Sequence, residues 1–248
     1  PMTINLSQNA LPQFSANVSV PSYKQSDLKA GIIHFGIGNF HRAHQAVYLD
    51  ELFNAGTDHE WGLIGAGVLP SDEIMRQKLK DQDWLTTVVE QDSGHRRAYV
   101  TSSMIDYIQP GNAANTIARL ADPEIRIVSL TITEGGYFID PASGKFNPQH
   151  PAIAADAANI GSPKTVFGLI LAGLIRRRSE GTPAFTVMSC DNIPGNGHVT
   201  SDAICGLAAL IDPVLADWVK QNVAFPNGMV DRITPATTDR ERNFLATQ

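Results

Sequence analysis

The sequence predicts an α/β fold built on a mostly parallel, doubly wound sheet, and three observations carry that expectation. Apolar strand-like runs alternate five or six times with helical patterns, as they do when helical crossovers join parallel strands. Residues 125–130 are apolar almost without alternation, as a strand covered on both faces must be. Polar motifs gather where strands are expected to stop, and in such sheets ligands bind beyond the carboxyl ends of the strands.

Residues 1–30 are polar and mixed and read as an N-terminal surface segment, with Pro1 before Met2 resembling a cloning scar. The first strand, 32–35, runs through Gly36 and Gly38 into a helix that Asn39 is placed to cap and Gly56 to end. A second strand at 61–66 closes on Gly65-Ala-Gly67, and Ser71 or Asp72 opens a charged helix to about Leu79. Between Trp84 and Ile108 the period changes to two around Asp92-Ser93-Gly94, which predicts a hairpin inserted into the α/β pattern. A short helix at 112–120 follows, then the strand at 125–130. Ser162-Pro163 reads as a cap with a first-turn proline; Val166, Leu169, Ile170, Gly173 and Leu174 form one helical stripe, and Gly181 ends it. A strand at 184–188 leads to a helix from about Val199 that Pro213 stops, then a short helix around Trp218 and an extended stretch at 223–225.

Composition narrows the partners. A net charge of −6 argues against nucleic acid and anionic membranes, which need clustered cations. The one basic cluster, Arg176-Arg177-Arg178, falls in the last turn of a predicted helix and reads as a solvated helix end. Two cysteines, Cys190 and Cys205, form no CxxC unit, which suits a reducing cytoplasm. No apolar run has the length of a membrane span.

The run Gly31-Ile-Ile-His-Phe-Gly36-Ile-Gly38-Asn-Phe-His-Arg-Ala-His44 is a strand turning through glycines into a helix, a geometry that cradles phosphate and points to a dinucleotide. It is an incomplete Gly-x-Gly-x-x-Gly, because His41 stands at the third glycine. Three further strand ends concentrate hydrogen-bonding groups: Thr131-Ile-Thr-Glu-Gly-Gly-Tyr137, Ser189-Cys-Asp-Asn192, and Phe225-Pro-Asn227-Gly-Met-Val-Asp231-Arg. Each also has a plain reading as an exposed turn. His41 and His44 lie three apart, but a third ligand at suitable spacing is lacking and no metal is expected. Cys190 reads as a buried strand-end thiol rather than a nucleophile.

Together with Ser162-Pro-Lys-Thr165 and Met229-Val-Asp-Arg-Ile-Thr-Pro235, these motifs make the chain from about Pro21 resemble the N-terminal half of the mannitol 2-dehydrogenase family of polyol dehydrogenases and hexuronate reductases. The resemblance implies a Rossmann-type dinucleotide-binding domain over 31–235, with 236–248 starting a linker to a helical C-terminal domain that is absent. It implies hydride transfer between a polyol and its ketose, with the cofactor over Gly36, Gly38, Asn39, Phe40, Thr131 and Thr133. Asp72 matches the ribose-binding carboxylate that favours NAD, and it also reads as a helix cap. Ser71 stands where the family carries a second carboxylate, which leaves NADP admissible. Asn192 matches a residue that holds the reacting oxygen, Glu134 a carboxylate near the proton exit, and Asp231 one lining the polar site; the two acids also read as surface groups. The family's general base, a lysine in a Lys-x-x-x-x-Asn-x-x-His run, has no counterpart in this chain, so these 248 residues alone are expected to be inactive. The substrate is expected to be a small polyol or sugar acid. A fructuronate or tagaturonate reductase is the alternative, as is a non-catalytic nucleotide-binding module if the gene ends at Gln248.

Overall fold

The computed structural model describes residues 3–14 and 16–248, so the Pro1-Met2 start lies outside the described residues. Strand β1 (Val18–Ser19) is followed by β2 (Ala30–Phe35), α1 (Asn39–Ala43), α2 (Gln45–Asn54), β3 (Gly62–Ala66) and α3 (Pro70–Lys80). A hairpin of β4 (Thr86–Asp92) and β5 (His95–Thr101) precedes β6 (Met104–Tyr107), α4 (Ala113–Leu120) and β7 (Ile127–Leu130). Then come α5 (Pro151–Ala158), α6 (Val166–Glu180), β8 (Thr186–Ser189), α7 (Asn196–Ile211), α8 (Pro213–Asn222) and α9 (Asp239–Ala246).

Strands β6, β3, β2, β7 and β8 lie side by side in that order, and every neighbouring pair is parallel. This is the doubly wound, Rossmann-like α/β sheet. The chain leaves β2 toward β3 and β6, then returns to build β7 and β8 on the other side, so the winding reverses between β2 and β7 and opens a crevice at their carboxyl ends. Phe35 pairs with Leu130 and also with Ala66, so the three central strands end level. One face of the sheet buries Ile33, Phe35, Val128 and Val187 against Phe167, Ile170, Leu171 and Leu174 of α6 and Ile204 and Leu207 of α7. Ile32 and Leu63 face a second cluster with Ala46, Leu79 and Met104. Burial on both faces explains why the strands read as unbroken apolar runs.

The hairpin is present, and Asp92 pairs with His95 across a two-residue turn. Ser93 and Gly94 both have positive φ, 37° and 91°, as the favoured two-residue hairpin turn requires. β1 joins β5 in parallel, making a separate sheet in the order β1-β5-β4. Phe244 and Leu245 of α9, in the stretch read as a linker, pack on this sheet around Val18, Leu85, Ala98 and Val100. Among the described residues, no helix is long and apolar enough to cross a membrane.

Several local expectations are corrected. The helix expected from Asn39 to Gly56 is two helices broken at His44, whose φ and ψ are −120° and −97°. Asn39 does not cap α1; Gly38 is the N-cap, and the Asn39 side-chain oxygen instead accepts from Arg42 at 2.5 Å. Thr165, not Ser162, caps α6 by accepting from Gly168 N–H at 2.9 Å, and Asp156 braces it by accepting from the amides of Lys164 and Thr165. The expected stop at Pro213 holds: α7 ends at Ile211, and Pro213, behind the shared cap residue Asp212, opens α8.

The arginine cluster is a solvated helix end only in part. Arg176 pairs with exposed Glu180 at 2.9 Å, but Arg177 is 2 % exposed. Its guanidinium donates to the carbonyls of Leu120 at 2.8 Å, Asp122 at 2.5 Å, Ile125 at 2.6 Å and Pro183 at 2.8 Å. Position 177 continues the phase of the α6 apolar stripe, so the side chain points inward, where its planar fork pairs carbonyls of the loops around β7.

Helix α1 docks on β2 through stacked imidazoles: the rings of His34 and His41 lie 3.7 Å apart at 19°, both buried. Burial, then the charges of His44 and Arg42, pushes His41 down to about 3, and burial holds His34 well below the usual histidine range. Both are neutral in the folded chain, whereas the unfolded chain takes up protons near pH 6.5. Stability is therefore fully present above that value and falls as the pH drops from about 6.5 toward about 3.

Two outcomes follow from this packing. His41→Phe removes up to about 1.4 kcal/mol per pH unit from the acid slope of stability, read by urea titrations between about pH 6.5 and 4.5. Arg177→Met strands buried carbonyls and lowers stability by about 3 kcal/mol or more at neutral pH, measured by thermal and urea unfolding.

Candidate functional site

A cleft of about 580 Å³ runs across the carboxyl ends of β3, β2, β7 and β8. Its centre is the glycine turn. Gly36 has φ +97°, and a Cβ there would lie 2.0 Å from the Thr131 carbonyl oxygen, so no side chain is possible without parting β2 from the β7 loop. The turn is pinned on both sides: Gly36 N–H donates to the Ala66 carbonyl at 3.2 Å, and the Thr131 hydroxyl donates to the Gly36 carbonyl at 2.7 Å. At Gly38 a Cβ would meet nothing within 4 Å, so its absence leaves open space beside the backbone. The first amides of α1, from Asn39 to His41, have no carbonyl of their own helix to pair with and lie along this cleft.

Beneath the turn, buried His34 links β2 to β7 through both ring nitrogens. Because the Thr131 hydroxyl donates to Gly36, it accepts from His34 Nε2–H at 2.7 Å. Nδ1 of a neutral His34 then takes the Ser129 hydroxyl proton at 2.6 Å, for which Gln45 Oε1, 3.2 Å from the same hydroxyl, competes. A neutral His34 suits this chain of donors. His41, at the place of the third glycine, is 1 % exposed, and its stack on His34 replaces the close helix–strand contact that glycine would give.

The β3 end of the cleft carries Ser71, Asp72 and Met75. Asp72 sits in the first turn of α3, and its Oδ2 accepts from the amides of Val68 at 2.9 Å and Leu69 at 2.8 Å. A Cβ on Gly67 would lie 2.3 Å from the Asp72 carboxyl carbon, so that glycine gives the carboxylate its place. Asp72 is thus a cap that also lines the cleft.

The opposite end is formed by Thr131, Thr133, Cys190, Asp191 and Asn192, closed over by Val230, Asp231 and Arg232. Asn192 is exposed at this wall. Asp191 ties the two strand ends together by accepting from the amides of Ile132 at 3.0 Å and Thr133 at 3.1 Å and from the Tyr137 hydroxyl at 2.5 Å. Burial, then the charge of Asp191, pushes the Cys190 thiol up to about 11, so it stays protonated at neutral pH. The segment bearing Asp231 is held by buried Asn196, which exchanges hydrogen bonds with Gly228 at 2.9 Å in both directions, and by Asn227, which accepts from Gly197 N–H at 2.9 Å. Arg232 reaches the hairpin, donating to Glu90 at 2.8 Å.

The fold therefore gathers Gly36, Gly38, Asn39, Phe40, Asp72, Thr131, Thr133, Asn192 and Asp231 around one cleft. Glu134 is not among its lining residues; it opens a short 3₁₀ turn, Glu134–Tyr137, and is exposed. Sequence reasoning passed over Asp191 and Asn196. Their partners are mostly distant in the chain, 58 positions for Asp191–Thr133 and 32 for Asn196–Gly228, and no local pattern announces them.

Comparison with known proteins gives a consistent result. Residues 30–248 match the family described as the mannitol dehydrogenase Rossmann domain. A mannitol 2-dehydrogenase of Cereibacter sphaeroides is 58% identical over 230 residues, covering 92% of this chain and 48% of the relative. A polyol:NADP oxidoreductase of Gluconobacter oxydans (strain 621H) is 43% identical over 237 residues, 94% of this chain and 48% of the relative. Among solved structures, the Pseudomonas fluorescens mannitol 2-dehydrogenase, in ternary complex with NAD and D-mannitol, superposes with a TM-score of 0.94 at 47% identity, over 98% of this chain and 50% of that one. The chain spans about half the length of these relatives. With a matched domain, a shared fold and this level of identity, it belongs to the mannitol dehydrogenase family.

Proposed function

We propose that this chain is the dinucleotide-binding half of an NAD-dependent oxidoreductase that moves a hydride between a mannitol-like polyol and its ketose. The observation that carries the reading is the cleft at the winding reversal, with a glycine turn free of side chains at its centre, Asp72 at one end and Asn192 with Asp231 at the other. The residues fit the cofactor: the backbone of Gly36 and Gly38 is bare, and the α1 amides lie along the same wall. Bound nicotinamide dinucleotide would supply the hydride carrier. Asp72 would face the adenosine ribose, and its negative charge would disfavour a ribose 2′-phosphate. The NADP-named Gluconobacter relative keeps NADP in view as a second ligand of the same cleft.

Chemistry would take place at the β8 end. The Asn192 amide N–H can stabilise negative charge growing on the reacting oxygen without ionising itself. Asp191 and Asp231 line the same end, while the cation there, Arg232, is paired with Glu90. A substrate carboxylate would meet like charge, which favours a neutral polyol over a sugar acid. Among the described residues that line the cleft there is no lysine, and proton transfer must accompany hydride transfer within hydrogen-bond reach. Turnover therefore belongs to a chain that also carries the lysine-bearing segment the family resemblance implies.

Calorimetry with NAD and NADP tests the reading. The 248-residue chain binds NAD, fails to oxidise mannitol, and loses binding in Gly36→Ala, whose methyl would be driven into Thr131; wild-type protein that binds neither nucleotide would sink the proposal. Asp72→Asn keeps an acceptor for the Val68 and Leu69 amides but removes the charge, and is expected to narrow the preference for NAD over NADP by about tenfold, or about 1.4 kcal/mol. An unchanged ratio of dissociation constants would remove Asp72 from cofactor discrimination.

A further inference from the structure

Thr133 has φ +65° and ψ 164°, a backbone region that glycine alone enters without strain, and a β-branched residue suits it least. It also lines the cleft. A strained residue persists only where its surroundings over-determine it, and here the determinant comes from the neighbouring strand end. Asp191 Oδ1 accepts from Thr133 N–H and Oδ2 from Ile132 N–H, two successive amides gripped by one carboxylate. Oδ2 also accepts from the hydroxyl of Tyr137, which is buried and sits at the far side of the same loop. Burial and the Asp191 charge both raise the Tyr137 phenol, so it remains a donor. The loop is packed against itself as well: a Cβ on Gly136 would lie 3.0 Å from the Ile132 side chain.

We propose that Asp191 is a positioning residue of the cleft, its carboxylate holding Thr133 in a glycine-only backbone conformation so that the β7-end loop forms the wall beside Asn192 before a ligand arrives. The role is distinct from that of Asn192, because all three of these Asp191 bonds go to the protein itself. It rests on the dinucleotide reading of the cleft. Without the clamp, the strain at Thr133 is released by movement of the loop, and the wall must be rebuilt at the expense of binding.

The test is a double-mutant cycle on the 248-residue chain, with NAD affinity, unfolding midpoint and amide hydrogen exchange of residues 131–137 measured for each variant. Asp191→Ala is expected to weaken NAD binding about tenfold and to speed exchange of the Ile132 and Thr133 amides. In a Thr133→Gly background positive φ is inexpensive, so the same substitution is expected to weaken binding about threefold or less. Asp191→Asn, which keeps the shape and one acceptor oxygen, should fall between wild type and alanine, and it serves as the comparison if the alanine variant does not fold. Equal penalties in the two backgrounds, or a lowered unfolding midpoint with unchanged affinity, would reduce Asp191 to a structural staple and overturn the proposal. Unchanged exchange at 131–137 would overturn it irrespective of any nucleotide. Wild-type protein that binds neither NAD nor NADP would instead overturn the dinucleotide reading and the clamp's role in it.

Discussion

The approach of Gly36 to Thr131 is the constraint on which the rest of the site depends. A backbone-to-backbone contact too tight for any Cβ fixes how closely β2 and the β7 loop approach at the point where the winding reverses. That separation sets the width of the crevice, and the chain from buried His34 through half-buried Thr131 to Gly36 holds it with directional bonds rather than with apolar packing alone. Hydrophobic burial brings the two strands together, but it is non-directional. Hydrogen bonds between groups removed from water supply the register, since leaving any of them unmade carries a desolvation penalty.

The same division of labour recurs where other loops meet the sheet. Arg177 gathers four carbonyls around the entry to β7 and the entry to β8, Asp156 closes the turn before α6, and Asn196 fastens the segment that bears Asp231. Each is a buried polar side chain whose partners are backbone groups of another segment. Such residues are few, and each fixes a loop that apolar contacts would leave free to slide. The cleft walls inherit their precision from these anchors, while the exposed side chains on them are left available for a ligand.

The fold class was legible because burial on both faces forces strands to be continuously apolar, and crossover helices must repeat between them. The inserted hairpin was legible in Asp92-Ser93-Gly94, since a two-residue turn demands positive φ. Most of the positions gathered around the cleft were legible as strand-end motifs and Asp72 through the family resemblance, with Glu134 the one that the structure leaves outside its lining. What escaped has physical reasons. β1 is two residues long, too short to show a period. Arg177 lies in phase with the α6 stripe, yet its charge reads as solvent exposure unless the helical phase is followed through it. Asp191 looks like part of a turn because its partners lie in another strand-end loop. The break at His44 interrupts a pattern of apolar spacing that continues on both sides, so the sequence reads as one helix.

The arrangement of the central strands also bears on how the molecule comes to possess a site. The β4–β5 hairpin closes over a two-residue turn and is local, whereas His34 meets Ser129 across 95 positions of chain. Non-local pairings form only after long loops have been closed, and so they slow folding. The crevice cannot exist in any early, locally structured intermediate. A ligand that recognises both of its walls would select for the completed β2–β7 pairing and slow its reopening, making nucleotide a brake on unfolding more than a template for folding.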